Sequence, residues 1–415
     1  MLLLSALCWA AAAQATLLRI SCGSVGQELE MCKQSAETWA ARIGNEVQVV
    51  APPSDSNDRL ALYQLILGSQ SDKVDVYQID VVWPGILANQ LLDLKPFTHG
   101  VEGQHFAGIV GNNSVGGRLV AMPWFTDAGL LFYRKDLLAK YGQKLPTTWD
   151  ELAAVARRVQ EAERLSGNDR MWGYVWQGRA YEGLTCDALE WFASSGAGTI
   201  VDAGGKVSVN NPRARGALER ARSWIGGISP AAVLNFGEEE SRGVFQAGNA
   251  VFMRNWPYAW SLTQAGQSLV QGKVGVAVLP RDGADDRSAA TLGGQQLAVS
   301  RYSRHPALAA DFVMYMTSAA VQKQRAVKGS FYPTVAALYH DKEVLAANPF
   351  MGELYGVLAS AVLRPTSVTG ARYNEVSQAI WNNVHAVIAG RWSAAAGLAR
   401  LEEDLDRLGR GGKWN

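Results

Sequence analysis

Between Thr16 and Asn89, short runs rich in Leu, Ile and Val alternate with longer stretches of helical period, and this alternation constrains the fold more than any other feature of the chain. Thr16 to Cys22 reads as a strand. Glu28 to Ile43 reads as a helix with Leu29, Cys32, Ala36, Trp39 and Ile43 on its inner face. Glu46 to Ala51 is a second strand, and Ser56 or Asn57 caps a helix running through Leu67. Val74 to Ile79 forms a third strand that stops at Asp80, and Pro84 opens a helix to Asn89 at a place where its missing N–H costs nothing. Strands and helices in this order specify an α/β chain with a parallel sheet covered by helices. In such a sheet the residues just beyond the strand carboxyl ends face a ligand crevice. That rule alone marks Gly23 to Glu28 and Asp80 to Trp83 as candidate site loops.

Further on, the apolar run Val120 to Met122 passes through Pro123 and Trp124 to Phe125, Thr126 and Asp127, and a fresh element begins at Leu130, as at a crossing between lobes. Residues 134–275 read mainly as helix: Trp149 to Glu163 behind a Thr147 or Thr148 cap, Ala214 to Trp224, and Ser241 to Gln246. The run Glu238, Glu239, Glu240 reads as a solvated helix start favoured by the helix dipole. Strands return at Lys273 to Leu279 and Gly294 to Ser300, and beyond Ser330 the chain is helical to Leu408. At 415 residues a single core has stopped growing, so two or three domains are expected.

With 39 Lys and Arg against 38 Asp and Glu, the chain lacks the cationic surplus that nucleic acid or an anionic membrane surface requires. Leu2 to Ala13 is apolar but too short to span a bilayer, and Ala13, Gln14, Ala15 form the small-x-small pattern of a signal-peptidase site. Export with cleavage after Ala15 is expected, although no Lys or Arg precedes Arg19. Lipid anchoring at Cys8 is not expected, because Leu7 precedes it where a small residue is needed. Cleavage leaves Cys22, Cys32 and Cys186. A bridge between Cys22 and Cys32 is open, and so are three buried thiols. No CxxC pair occurs and the five histidines are scattered, so neither a metal nor a cofactor is expected. The phosphate-loop, zinc-protease and nucleophile-elbow motifs are absent, and Val201 breaks the dinucleotide fingerprint begun by Gly196 and Gly198. Spacing alone does not exclude an opposed carboxylate pair of the glycosidase kind.

Four stretches, Val74 to Pro84 (VDVYQIDVVWP), Phe125 to Leu137 (FTDAGLLFYRKDL), Arg254 to Trp260 (RNWPYAW) and Ala289 to Gly294 (AATLGG), resemble the extracellular solute-binding proteins of ABC sugar importers, and most of all their trehalose/maltose-binding group. The resemblance implies a two-lobed type II periplasmic-binding-protein fold, each lobe a sheet flanked by helices, with three hinge crossings and the sugar enclosed between the lobes. The lobes then comprise residues 16–124 with 281–328 and residues 128–276 with 334–415, and the crossings lie near 124–127, 277–280 and 328–333. It implies a monomeric periplasmic protein that binds an α-linked disaccharide, trehalose or maltose, and hands it unchanged to membrane permease subunits. Two rivals remain: a secreted glycoside hydrolase, and a binding protein for another small polar solute such as glycerol phosphate.

By position in those motifs, the resemblance places sugar contacts at Glu28, Arg59, Asp80, Asp127, Trp256, Gly294 and Arg364. Carboxylates accept hydrogen bonds from neighbouring hydroxyls, Arg donates a rigid fork, and Trp covers the apolar face of a pyranose. Phe125 stands where relatives tend to have Tyr and Gln295 where they commonly have Trp, so both enter the pocket as departures that bear on which sugar fits. Trp83, Tyr258 and Tyr373 are further pocket candidates. Each has an ordinary alternative: Glu28 and Asp80 as helix caps, Arg59 as an exposed helix-start residue, Trp256 as core.

Overall fold

A computed structural model describes residues 15–24, 26–283, 285–352, 356–357, 361–411 and 413–414. The leader expected at residues 1–15 falls, apart from Ala15, outside the described residues. Among the described residues, no helix is long and apolar enough to cross a membrane.

The longer strands, in chain order, are β1 (Leu17–Ser21), β2 (Glu46–Val50), β3 (Val76–Asp80), β4 (Met122–Ala128), β5 (Leu130–Arg134), β6 (Trp172–Val175), β7 (Ala250–Asn255), β8 (Val274–Ala277) and β9 (Leu292–Val299). They form two sheets, ordered β2-β1-β3-β9-β4 and β8-β5-β7-β6. In the first sheet β1 runs parallel to β2 and β3, while β9 is antiparallel to both β3 and β4. The all-buried β3, Val76–Asp80, is apolar at three of its five positions, as a strand covered on both faces should be. Consecutive strands β4 and β5 belong to different sheets, so the chain changes sheet at Gly129.

The helices that position the site are α1 (Gly26–Ile43), α2 (Ser56–Gly68), α3 (Trp149–Leu165), α4 (Glu182–Ser194), α5 (Glu238–Gln246), α6 (Ala319–Gly329) and α7 (Tyr373–Ile388). The inner stripe of α1 is rotated from the expected one. Met31, Cys32, Ser35, Ala36, Trp39 and Ala40 are buried, whereas Ile43 is 42% exposed and Leu29 only half-buried. The cap of α2 is Asp55, one residue ahead of the expected pair: its Oδ1 accepts from the backbone N–H of Asn57 (2.8 Å) and Asp58 (3.2 Å). Thr148 caps α3 in a capping box with Glu151. Cys22 and Cys32 are disulfide-bonded and Cys186 is a buried free thiol.

The surplus of tryptophan goes chiefly into the core beside the second sheet. Trp149, Trp176, Trp191 and Trp224 pack on one another with ring centroids 5.1–6.2 Å apart. Edge-to-face aromatic pairs of this kind contribute about 0.5–1.5 kcal/mol each beyond area burial.

Candidate functional site

A cavity of about 290 Å3 opens between the two sheets at the carboxyl ends of β1 and β3. Glu28, Arg59, Asp80, Trp83, Phe125, Asp127, Trp256, Tyr258, Gly294, Gln295 and Arg364 all line it. Tyr373 does not: it is 1% exposed and its hydroxyl donates to Glu182 behind the wall. The sequence expectation is corrected there, because Tyr373 reaches the site only through that carboxylate.

The register of the first sheet explains why these residues meet. On β9, Gly293, Gly294 and Gln295 pair with Asp127, Thr126 and Phe125 of β4, and Gln295 also pairs with Asp80 of β3. Three strands thus present Asp80, Gln295 and Phe125 in one row, with a register shift just beyond Gln295. Gly294 has φ +124°, and a Cβ there would lie 2.4 Å from the Phe125 carbonyl oxygen, so only glycine fits. Its own carbonyl accepts from Val81 N–H, which ties the loop after β3 to the same strand.

Several of the polar groups are fixed by neighbours. Gln78 Nε2 donates to Glu28 Oε1 (2.9 Å), while Gln78 Oε1 accepts from Gly23 N–H. Arg59, 6% exposed rather than an exposed helix-start residue, donates from Nε and Nη2 to the carbonyls of Pro53 and Ser54. Arg364 bridges Asp80 Oδ1 (3.0 Å) and Glu182 Oε1 (2.8 Å), and Ser377 also donates to Glu182. Burial raises the Glu182 carboxyl above the ordinary range despite the opposing pull of Arg364, Ser377 and Tyr373. Asp127 is 9% exposed and its Oδ1 has no hydrogen-bond partner among the described residues. Burial, then the charges of Glu28 and Asp80, push its carboxyl well above the ordinary range, while Arg325 and Arg254 pull the other way. Gln295 Oε1 is likewise without a partner among the described residues.

Trp256 is clamped. The guanidinium of Arg254 lies 3.9 Å from the ring centre, itself held by Glu190, Asp187 and Gln177, and the indole N–H donates to Glu238 Oε1 (3.2 Å). A Cβ on Gly293 would come within 3.0 Å of the ring, so β9 packs against its edge.

The expectation for the acidic run Glu238 to Glu240 holds for its place at a helix start and is corrected for its solvation. The run begins α5, but Glu238 and Glu239 are half-buried at the cavity. Tyr181 donates to Glu238 (2.6 Å), and Tyr258 to Glu239 (2.6 Å), which also pairs with Arg242. The sequence reading missed Arg179, Tyr181 and Glu182, which enter the cavity from the segment after β6. That strand lies in the stretch 134–275 expected to be mainly helical, where the sequence offers no strand end to which the carboxyl-end rule applies. Arg179 pairs with Asp55 (2.8 Å) and Glu182 N–H donates to Asn57 Oδ1 (3.2 Å), contacts that join elements of the two sheets across the cavity.

Among the described residues no group of His, Cys, Asp and Glu is arranged to hold a metal ion. The arrangement suits hydrogen bonding to an uncharged, hydroxyl-rich molecule: carboxylates and arginines line the same cavity as the aromatic rings of Trp83, Phe125, Trp256 and Phe331.

Comparison with known proteins gives concordant relatives. The family model described as bacterial extracellular solute-binding protein matches residues 33–323. A probable ABC transporter-binding protein of Deinococcus radiodurans is 52% identical over 97% of this chain and 96% of its own length. A mannitol-binding protein of Pseudomonas aeruginosa is 25% identical over 71% of this chain and 70% of its own. The maltose-bound structure of T. maritima MalE3 superposes with a TM-score of 0.89 at 39% identity, covering 95% of this chain and all of that one.

Proposed function

This chain belongs to the bacterial extracellular solute-binding proteins, in the maltose-binding-like group that serves ABC sugar importers, and from that premise we propose that it binds an α-linked disaccharide, maltose or trehalose. Its fold is the two-lobed type II fold of that group, and it is a binding protein rather than a hydrolase. In our reading it acts as a monomer in the periplasm, freed of its leader after Ala15. The lobes close on the sugar by bending near residues 124–127, 277–280 and 328–333, and the permease receives the sugar unchanged.

One observation carries the choice of ligand. In a single cavity, acceptors without a partner among the described residues, Asp127 Oδ1 and Gln295 Oε1, stand with the restrained Arg59, Glu28 and the clamped ring of Trp256. Seven carboxylates (Glu28, Asp80, Asp127, Glu182, Glu238, Glu239, Glu240) and four guanidiniums (Arg59, Arg179, Arg242, Arg364) line it, an acidic balance that repels glycerol phosphate. Charge-assisted hydrogen bonds contribute about 1.5–3 kcal/mol each, so a few of them and one stacked ring reach about −8 kcal/mol, a micromolar Kd.

Isothermal titration against maltose, trehalose, mannitol and glycerol phosphate is the test. Micromolar binding of maltose or trehalose is expected. Folded protein that ignores both disaccharides and takes up mannitol moves the assignment to a sugar alcohol.

A further inference from the structure

Arg325, on α6, is 1% exposed, and its Nε, Nη1 and Nη2 all lack a hydrogen-bond partner among the described residues. Its guanidinium carbon lies 3.9 Å from the ring centre of Trp124, 4.3 Å from Phe331 and 5.2 Å from Phe125. Phe125 and Phe331 line the sugar cavity and Arg325 does not, so the cation stands directly behind an aromatic wall of the site. Burying a charge away from water without hydrogen bonds is costly, and ring faces compensate only in part. The remaining compensation is the field of nearby carboxylates. Those that act on it are Glu28 and Asp127, both at the cavity.

We propose that Arg325 is a positioning and specificity-determining residue of this site: from behind the Phe125 and Phe331 wall its charge favours the hydrogen-bond-accepting carboxylate form of Asp127, which suits the cavity to neutral, hydroxyl-rich ligands. The inference rests on the reading of the cavity as a sugar site.

The aromatic cage is what makes this arrangement useful. A guanidinium paired directly with a carboxylate uses up its lone pairs, as Arg364 does at Asp80 Oδ1. Arg325 supplies positive potential and leaves Asp127 Oδ1 open to the ligand. The charged or titratable groups acting on Asp127 are Glu28 from α1, Asp80 from β3, Arg254 from β7 and Arg325 from α6, with Tyr332 close by. Arg254 is already committed to Glu190 and Asp187, so Arg325 is the cation with no carboxylate pair of its own among the described residues.

Two variants of the full chain decide the matter: Arg325→Met, which keeps much of the side-chain length and removes the charge, and Arg325→Lys, which keeps the charge. Carbon-13 NMR follows the Asp127 carboxyl in the unliganded protein, assigned with Asp127→Asn. The midpoint is expected to rise by about one pH unit or more in Arg325→Met and to stay within about half a unit of wild type in Arg325→Lys. Titration with the disaccharide that wild type binds should show at least about tenfold weaker affinity for Arg325→Met, with the largest deficit at pH values between the wild-type and variant midpoints, where only the wild-type carboxyl is ionised. An unmoved midpoint in Arg325→Met, or an affinity deficit that does not change with pH across the two midpoints, overturns the proposal. If Arg325→Met does not fold, Arg325→Lys decides: a midpoint at the wild-type value supports the role of charge, and a larger displacement overturns it. The NMR arm needs no sugar, so a wild-type protein that binds no disaccharide refutes the functional reading alone.

Discussion

Removing the Trp256 ring separates its role as a sugar platform from its role as a packed side chain. One face of the indole is covered by Arg254 at 3.9 Å, and the ring also reaches the cavity. A pyranose laid on the ring buries roughly 80–100 Å2 of combined apolar surface, which at about 25 cal/mol/Å2 contributes about 2–2.5 kcal/mol. Trp256→Ala should therefore raise Kd by roughly 30- to 60-fold at about 1.4 kcal/mol per decade. Stability must fall too, because Arg254 loses a desolvated cation–π partner worth up to about 2 kcal/mol. The loss stops well short of the ~3–5 kcal/mol expected of a stranded buried charge, since Glu190, Asp187 and Gln177 still hold Arg254. Isothermal titration measures the first quantity, and calorimetric unfolding without sugar measures the second. Trp256→Phe, which keeps a ring, should recover most of the affinity. A Trp256→Ala protein within threefold of wild-type affinity but clearly less stable shows that the ring only fills space, and the stacking argument fails.

Two further expectations concern the frame around the site. Gly294→Ala puts a methyl 2.4 Å from the Phe125 carbonyl oxygen at φ +124°, so it should cost at least about 2 kcal/mol in urea unfolding; a change below about 0.5 kcal/mol contradicts the close approach of β9 to β4. His105, buried with Nδ1 2.8 Å from Thr334 Oγ1, has its pKa lowered from 6.5 to about 4 by burial. Between those values the unfolded chain binds the proton and the folded one resists it, so the contribution present above pH 6.5 is lost as the pH falls to about 4. His105→Asn should remove on the order of 3 kcal/mol from the difference in stability between pH 7 and pH 4; identical slopes in variant and wild type refute the assignment.

The amino-terminal half of the first sheet was legible because its strands are apolar, separated by amphipathic helices and punctuated by caps. Asp80 and the stretch from Gly23 to Glu28 follow from that pattern alone. The second sheet was legible only at its edge, where the strand expected at Lys273 to Leu279 is β8; β6 and β7 were not. β6 has four residues and β7 six, and neither alternates, because β7 is buried at every position and β6 at all but its first. A short fully buried strand has no period to read. Missing β6 hid Arg179, Tyr181 and Glu182. Charge runs at helix starts are usually solvated, and nothing in the sequence shows that Tyr181, Trp256 and Tyr258 converge on the run at Glu238. Arg325 gave no signal at all, since its partners are ring faces brought together by tertiary packing.

The bond between Cys22 and Cys32 encloses the stretch that carries Glu28. Closing a covalent loop of this length removes about 3 kcal/mol of chain entropy from the unfolded ensemble. Its effect on recognition is separate from its effect on folding. A free segment has to be immobilised at each encounter with ligand, and that ordering is subtracted from affinity every time. Here oxidation of two thiols restrains the segment that carries Glu28 once in the life of the molecule, before any sugar arrives. Protein kept in a reducing compartment would then be a weaker and slower receptor with the same sequence, and redox history joins ligand concentration among the variables that set its occupancy.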